Sequence, residues 1–408
     1  MAPTVTGRNS TAWVRIAFAM FAVGWGANQF SPMLIVYRHE LGLGAGAVAA
    51  LFLVYALTLI PGLLIGGPVS DRLGRRPVVL PFVVLSPVAT LLLVLGPRSL
   101  AVITVGRALS GLCSGVAIGS ATAWVQELSA GDGQSARRSA LALTAGFGLG
   151  PVVAAALAQW APDPLVVPYL PHLVIGTVAA AVLWRTPAAP MPVRVTRTWP
   201  PAAVRTTRFW LAVAPAAPLV FGSVSLAIVV LPEEVTSARS LSAGFAGLMT
   251  ALSFTAGVAV QRLARRLRRA LAGNVAGLGC ATAGAGIGIA AVADSSRTLA
   301  GVAAVFLGLA YGLCLVSGLR QAEHMASPDE RGAVIACYYT VAYLGFAVPY
   351  LVDGLGAVSG RTGAFVLLTA IIAVLALWTT GYAIRSGLAS PRAPESESAR
   401  AEGTPVQQ

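Results

Sequence analysis

Lysine is absent from this chain of 408 residues, so all 28 of its basic side chains are arginine. Charge is scarce altogether. Charged residues make up 11% of the chain, against about a quarter in soluble domains, while 56% is hydrophobic. Those proportions, with a mean hydropathy of +0.77, exclude an ordinary water-soluble protein. The four cysteines, Cys113, Cys280, Cys314 and Cys337, sit inside apolar runs without CxxC spacing and read as packing residues rather than disulfides or metal ligands. There is no clustered His/Asp/Glu set, no nucleophile–base pairing and no Walker-type nucleotide loop. Neither an enzyme, a cofactor, a metal centre nor an ATP-driven pump is therefore expected. The net charge of +13 is an excess that nucleic-acid binders also carry, but arginine placement assigns it to a membrane surface and no nucleic-acid partner is expected.

What the chain has in abundance is long apolar stretches. They fall at about 12–37, 43–66, 77–97, 99–126, 139–162, 164–184, 209–232, 240–261, 270–293, 298–319, 332–352 and 362–384. Each is long enough to cross a core of about 30 Å at 1.5 Å per residue. The prediction is an all-α integral membrane fold with twelve transmembrane helices. The first run is too long, and too many follow it, for a cleavable signal peptide.

Orientation follows from the arginines. With the N-terminus cytoplasmic, 22 arginines fall on the inner side and five (Arg38, Arg98, Arg239, Arg297, Arg361) on the outer, with Arg107 inside a span. Both termini are accordingly expected on the cytoplasmic side of a cell membrane, inner or plasma. Residues 185–208, rich in Pro and Arg, read as a cytoplasmic linker between six-helix bundles at 1–184 and 209–384. Residues 385–408 read as a disordered cytoplasmic tail.

The two halves repeat. The segment Gly67-x3-Asp71-Arg72-Leu73-Gly74-Arg75-Arg76 returns as Gly257-x3-Gln261-Arg262-Leu263-Ala264-Arg265-Arg266. Gly111-Leu112-Cys113 returns as Gly312-Leu313-Cys314, Glu127 as Glu323, and Pro151 as Pro349. Four echoes in one order indicate duplication, hence two pseudo-symmetric bundles with a site between them.

The pattern G-x-x-x-D-R-x-G-R-R at 67–76 resembles the signature between helices 2 and 3 of the major facilitator superfamily of secondary transporters. Physically it reads as a tight, charged connection, with Gly67 and Gly74 permitting close approach and positive φ, and Arg72, Arg75 and Arg76 held at anionic headgroups. The resemblance implies that Asp71 docks at the start of helix 11, near Arg331-Gly332, as a conformational latch. A matching latch from Gln261 onto span 5 is expected to be weaker. Arg107-x2-Ser110-Gly111-x3-Gly115 resembles the superfamily's second motif, which links the arginine to proton transfer or substrate binding. Arg107 lies nine residues past Arg98, about 14 Å into the membrane, where a cation needs a wet cavity or a partner; neighbouring carbonyls would also satisfy it. Gly146, Gly150 and Pro151, followed by Ala154-Ala155, resemble the span-5 motif of the drug–proton antiporter branch, although alanines stand where that motif ends in two glycines. Their i+4 spacing provides a close-packing stripe with a bend.

For substrate contact the candidates are Asn28, Gln29, Arg107, Ser110, Tyr311, Tyr339 and Tyr343, with Tyr55 and Tyr338 as further aromatics. All fifteen acids lie in loops, tails or span ends, so the proton-coupling candidates are Arg107, Glu127 and Glu323, the two glutamates reading equally as gate residues. The function expected is a secondary transporter, monomeric, that exports a small and moderately apolar organic solute against inward proton flow. Alternatives are a uniporter or importer of a sugar or metabolite on the same fold, or a non-transporting membrane sensor.

Overall fold

The computed structural model of the chain describes residues 12–129, 135–186, 200–235, 243–267, 270–327 and 330–386. Most of the linker (187–199) and nearly all of the tail (387–408) lie outside the described residues. Among those described, there is no strand. The first half comprises α1 (Ala12–Asn28), α2 (Phe30–Glu40), α3 (Ala45–Leu73), α4 (Arg75–Leu95), α5 (Leu100–Leu128), α6 (Ser135–Trp160) and α7 (Leu170–Trp184). The second comprises α8 (Pro218–Ser225), α9 (Leu231–Glu234), α10 (Ala243–Arg266), α11 (Ala270–Ala293), α12 (Arg297–Met325), α13 (Arg331–Tyr343) and α14 (Val348–Arg385). Ten helical runs among the described residues are long and apolar enough to cross a membrane. Apolar side chains such as Leu57, Ile65, Val174 and Leu377 are more than half exposed around the outside, while polar side chains such as Gln29, Ser120 and Asn274 are fully buried. That inside-out polarity is what a lipid solvent selects.

Prolines set the interruptions. α1 and α2 are one apolar run broken at Gln29. Pro32 cannot donate to the carbonyl of Asn28, four residues back, and its ring crowds that turn. The run 209–234 contains π-helical turns at Phe209–Val213 and Leu226–Val230, close before Pro215 and Pro232. The helix from Arg331 tightens into a 3-10 turn at Leu344–Ala347 just before Pro349. Within α14, Gly360 takes φ 73°, ψ 169° and breaks the helix.

Glycines bring backbones together. α3 packs on α5, and a Cβ on Gly115 would stand 2.9 Å from Leu63 N and 3.0 Å from Gly62 Cα. α10 packs on α12 in the same manner, through Gly308 against Ser253 and Gly312 against Gly257. The repeat of Gly111 and Gly312 is thus a repeat of packing: each closes its helix onto its own half's partner. α6 faces two ways. Gly146 and Gly150 lie on the α1 backbone at Phe21 and Trp25, and Gly148 faces Phe254 of α10. The broadest contact between the two sequence halves is α6 on α10, and α13 packs on α3 and α5.

One expectation changes. Residues 67–73 are not a loop, since α3 stays helical to Leu73 and the connection to α4 is the single residue Gly74 at φ 96°. Gly67 is helical, and a Cβ there would meet only Ala336 Cβ at 4.0 Å, so only Gly74 needs the freedom of a glycine. The helix continues through Pro68 as it does through Pro61, since proline is tolerated inside membrane helices where neighbours satisfy the freed carbonyl.

Overpacking a tight interior costs about 1–3 kcal/mol, and more where the obstacle is backbone. Gly115→Leu is therefore expected to lose the monodisperse peak in detergent size-exclusion chromatography. Gly279→Leu in α11, where a Cβ would meet nothing within 4 Å, should elute as the parent does.

Candidate functional site: an aromatic cavity between two ionic ends

Near the middle of the bundle lies a small cavity of about 10 Å³. Phe52 and Tyr55 of α3, Phe147 of α6, Phe221 of α8, Phe254 of α10 and Phe346 of the turn before α14 line it. Ala27, Asn28, Arg107 and Val224 complete the wall. The aromatic wall joins the two halves: Phe52 meets Phe346 edge-on at 5.2 Å, and Phe147 meets Phe221 edge-on at 6.1 Å. Phe221 stacks in turn on Phe346 at 5.2 Å and on Tyr343 at 4.2 Å.

Arg107 comes to this wall from α5 and is 1% exposed. Its guanidinium lies over the Phe30 ring at 4.0 Å and the Tyr55 ring at 4.5 Å. Nε donates to Leu51 O at 3.2 Å and Nη1 to Ala27 O at 3.4 Å. Both features read from the sequence meet here, a cavity and neighbouring carbonyls. Two desolvated cation–π contacts, worth up to about 2 kcal/mol each, offset an insertion cost of about 2.5–3.5 kcal/mol. Asn28 also lines the cavity, where its Nδ2 donates to Phe147 O at 2.7 Å and its Oδ1 accepts from Ser31 at 2.9 Å.

The family model described as the Major Facilitator Superfamily matches residues 16–350. The chain belongs to the Major Facilitator Superfamily. None of the curated proteins is similar enough to match it.

Other sequence candidates of this superfamily member fall elsewhere. Gln29, fully buried, turns away from the cavity and donates to Thr90 at 3.2 Å, and Thr90 in turn bonds His172 Nδ1 at 2.7 Å. Ser110 is buried on α5, its carbonyl accepting from Ser114 at 2.8 Å. Tyr343 backs Phe221, and Tyr339 lies 6.3 Å from Tyr343, one layer further out. Tyr338 donates to Cys314 O at 2.9 Å. Tyr311 packs edge-on against Phe254 at 5.4 Å, and its hydroxyl meets Thr144 of α6 at 3.1 Å. Gln261 reaches the same threonine at 3.5 Å, so the second-copy residue does touch span 5, by a long neutral contact. The five phenylalanines were not picked from the sequence. A phenylalanine in an apolar span fits lipid as well as it fits a cavity, so no sequence signal separates the two.

At the Gly74 end, Arg75 is the hub rather than a headgroup anchor. It is 7% exposed and pairs with Asp71 at 2.6 Å, Ser70 Oγ at 2.6 Å and Glu127 at 2.7 and 2.9 Å. Glu127 is thus the acid of an ion pair, away from the cavity. Glu323 accepts from Gln126 at 3.2 Å, joining α12 to α5 across the halves. Arg76 donates to Trp184 O at 2.7 Å and Arg72 is exposed. Beside this hub runs α13, with Ala336 near Gly67 and Gly332 near Ala123. At the opposite end a larger cavity of about 90 Å³ lies between Arg38, Phe52, Glu233, Glu234, Tyr350 and Asp353. Arg38 crosses it to Glu233 at 3.1 Å, and Arg361 pairs with Glu234 at 3.4 Å. Phe52 belongs to both cavities. Among the described residues no group of His, Cys, Asp and Glu is arranged to hold a metal.

Asp71→Asn keeps the side-chain volume and leaves Arg75 paired with Glu127. It is expected to lower solute flux while the protein still elutes monodisperse in detergent. Parental flux from a well-folded variant would contradict a role for that charge.

Proposed function

We propose that this chain is a secondary transporter that moves a small, moderately apolar organic solute by alternating access. Twelve crossings are counted by taking 12–40 as one broken span and by dividing the run from Gly332 at Gly360. They form two six-helix bundles, 1–184 and 209–384, with the linker and both termini cytoplasmic in a cell membrane. The observation that carries the reading is the central cavity, whose wall draws Asn28, Phe52 and Arg107 from the first half and Phe221, Phe254 and Phe346 from the second. A site shared between halves is reachable from alternate sides when they rock.

Taking the arginine-rich end as cytoplasmic, α13 against α3 and α5, with Gln126–Glu323, closes the inner side. The larger cavity then opens toward the outer side, spanned by Arg38–Glu233. In this reading Asp71, Arg75 and Glu127 form a rigid corner that braces the inner gate from one half, while Glu127 and Glu323 are gate residues rather than proton carriers. The glycine stripe of α6, set on α1, supports export coupled to inward proton flow by its likeness to the antiporter motif. A second reading, uniport on the same fold, is favoured by one observation: no carboxylate lines the central cavity among the described residues. Proteoliposomes with an imposed pH gradient separate the two. Antiport predicts solute flux that reverses with the gradient, whereas uniport predicts flux indifferent to it. The absence of flux for every dye, antibiotic and sugar in a panel would contradict transport.

A further inference from the structure

We propose that the lining of the central cavity selects a small aromatic anion, an arene carboxylate, with its charge taken by Arg107 and its ring by the phenylalanine wall. This names the solute class of the transport reading above and rests on that reading for delivery, though not for binding.

The argument begins with charge. Among the described residues that line the cavity, Arg107 is the only ionic one. The neighbouring acids are engaged at the two ends of the bundle: Asp71 and Glu127 with Arg75, and Glu233 with Arg38. A cationic solute would therefore enter a low-dielectric space beside a like charge, which is repulsive. An anion would meet the single uncompensated cation.

The next consideration is the donor set. A guanidinium carries five N–H groups, and the two contacts to Leu51 and Ala27 are both longer than the usual 2.9–3.0 Å for such bonds. Its central carbon lies over the Phe30 and Tyr55 rings, 4.0 and 4.5 Å from their centres. Three N–H groups remain for a further acceptor, and a planar carboxylate is the group that matches that fork with two oxygens. Asn28 does not compete, because its amide is committed to Phe147 O and Ser31.

The remaining wall fixes the other end of the ligand. Phe52, Phe147, Phe221, Phe254 and Phe346 offer ring faces and edges and no hydrogen-bonding atoms. Such a wall rewards a flat arene over a sugar, whose hydroxyls would lose water without replacement. The space open in this conformation is only about 10 Å³, about enough for one water, so the wall side chains move apart to admit a ring, which keeps the arene small.

The test uses the full chain in lipid nanodiscs and three probes of one shape: naphthalene carboxylate, naphthylmethanol and naphthylmethylammonium. Isothermal titration calorimetry, corrected with empty nanodiscs, should show the carboxylate binding about tenfold or more tighter than the alcohol, and the ammonium weakest. Arg107→Lys, which keeps the charge and loses the fork, should abolish most of that preference. Phe221→Ala should weaken all three probes together. Equal binding of carboxylate and alcohol, preference for the ammonium, or no binding of any probe would overturn the proposal. The probe series on the parent chain decides this even where the Arg107 variant does not fold. Arg107-dependent binding of the carboxylate without flux in proteoliposomes would keep this proposal and remove the transport reading. Flux of the ammonium alone would do the reverse.

Discussion

A guanidinium in the middle of an apolar bundle must be held by something, and the way Arg107 is held organises this molecule. It spends two N–H groups on the carbonyls of Leu51 and Ala27 and lies over the rings of Phe30 and Tyr55. Those partners come from three helical segments of the first half, so one side chain ties the broken first span and α3 to α5. The break between α1 and α2 is part of the same arrangement. It follows from Pro32 and places Asn28 at the cavity wall while Phe30 covers the arginine. The cavity wall is then completed from the second half by three phenylalanines and Val224, so the ionic chemistry of the site belongs to one half and the apolar chemistry to both.

The acids near the membrane surfaces do different work. In lipid an ion pair cannot be traded for water, and Asp71, Glu127, Glu233, Glu234 and Glu323 each meet a cation or an amide. Arg75 collects Asp71, Ser70 and Glu127 at one end, which fixes α3, α4 and α5 relative to one another. Arg38–Glu233 links α2 to α9 at the other end, and that pair joins the two sequence halves. The difference matters for motion. A cluster confined to one half moves with it, whereas a pair between halves has to break when they separate. In the transport reading proposed above, Gln126–Glu323 and Arg38–Glu233 are therefore the contacts that would exchange, and Arg75 is a rigid corner.

Much of the architecture was legible in residue order. Apolar run length located the helices, Gly74 marked the positive-φ turn between α3 and α4, and the echo of Gly111 in Gly312 marked matching helix contacts. The membership in the Major Facilitator Superfamily was legible in residues 67–76, and the family match over 16–350 bears it out. The connection itself was misjudged in length, because glycine and proline inside a lipid-solvated helix do not end it as they would in water. The site was only half legible. A buried arginine and an Asn–Gln pair are costly in lipid and therefore conspicuous, yet only Arg107 and Asn28 reach the cavity, while Gln29 turns to Thr90. The phenylalanines left no trace in the sequence, because apolar side chains facing lipid, core and cavity have the same composition.

The central claim is that the space beside Arg107 is a solute chamber that opens to each side of the membrane in turn. Cysteine accessibility at position 28 tests it most directly. In a chain whose four native cysteines are replaced by alanine, Asn28→Cys should be modified by a membrane-impermeant thiol reagent added to either side of sealed vesicles. A saturating bound solute should slow that modification. Protection from both sides, with or without solute, would mean that the space is a packing void, and would contradict the account.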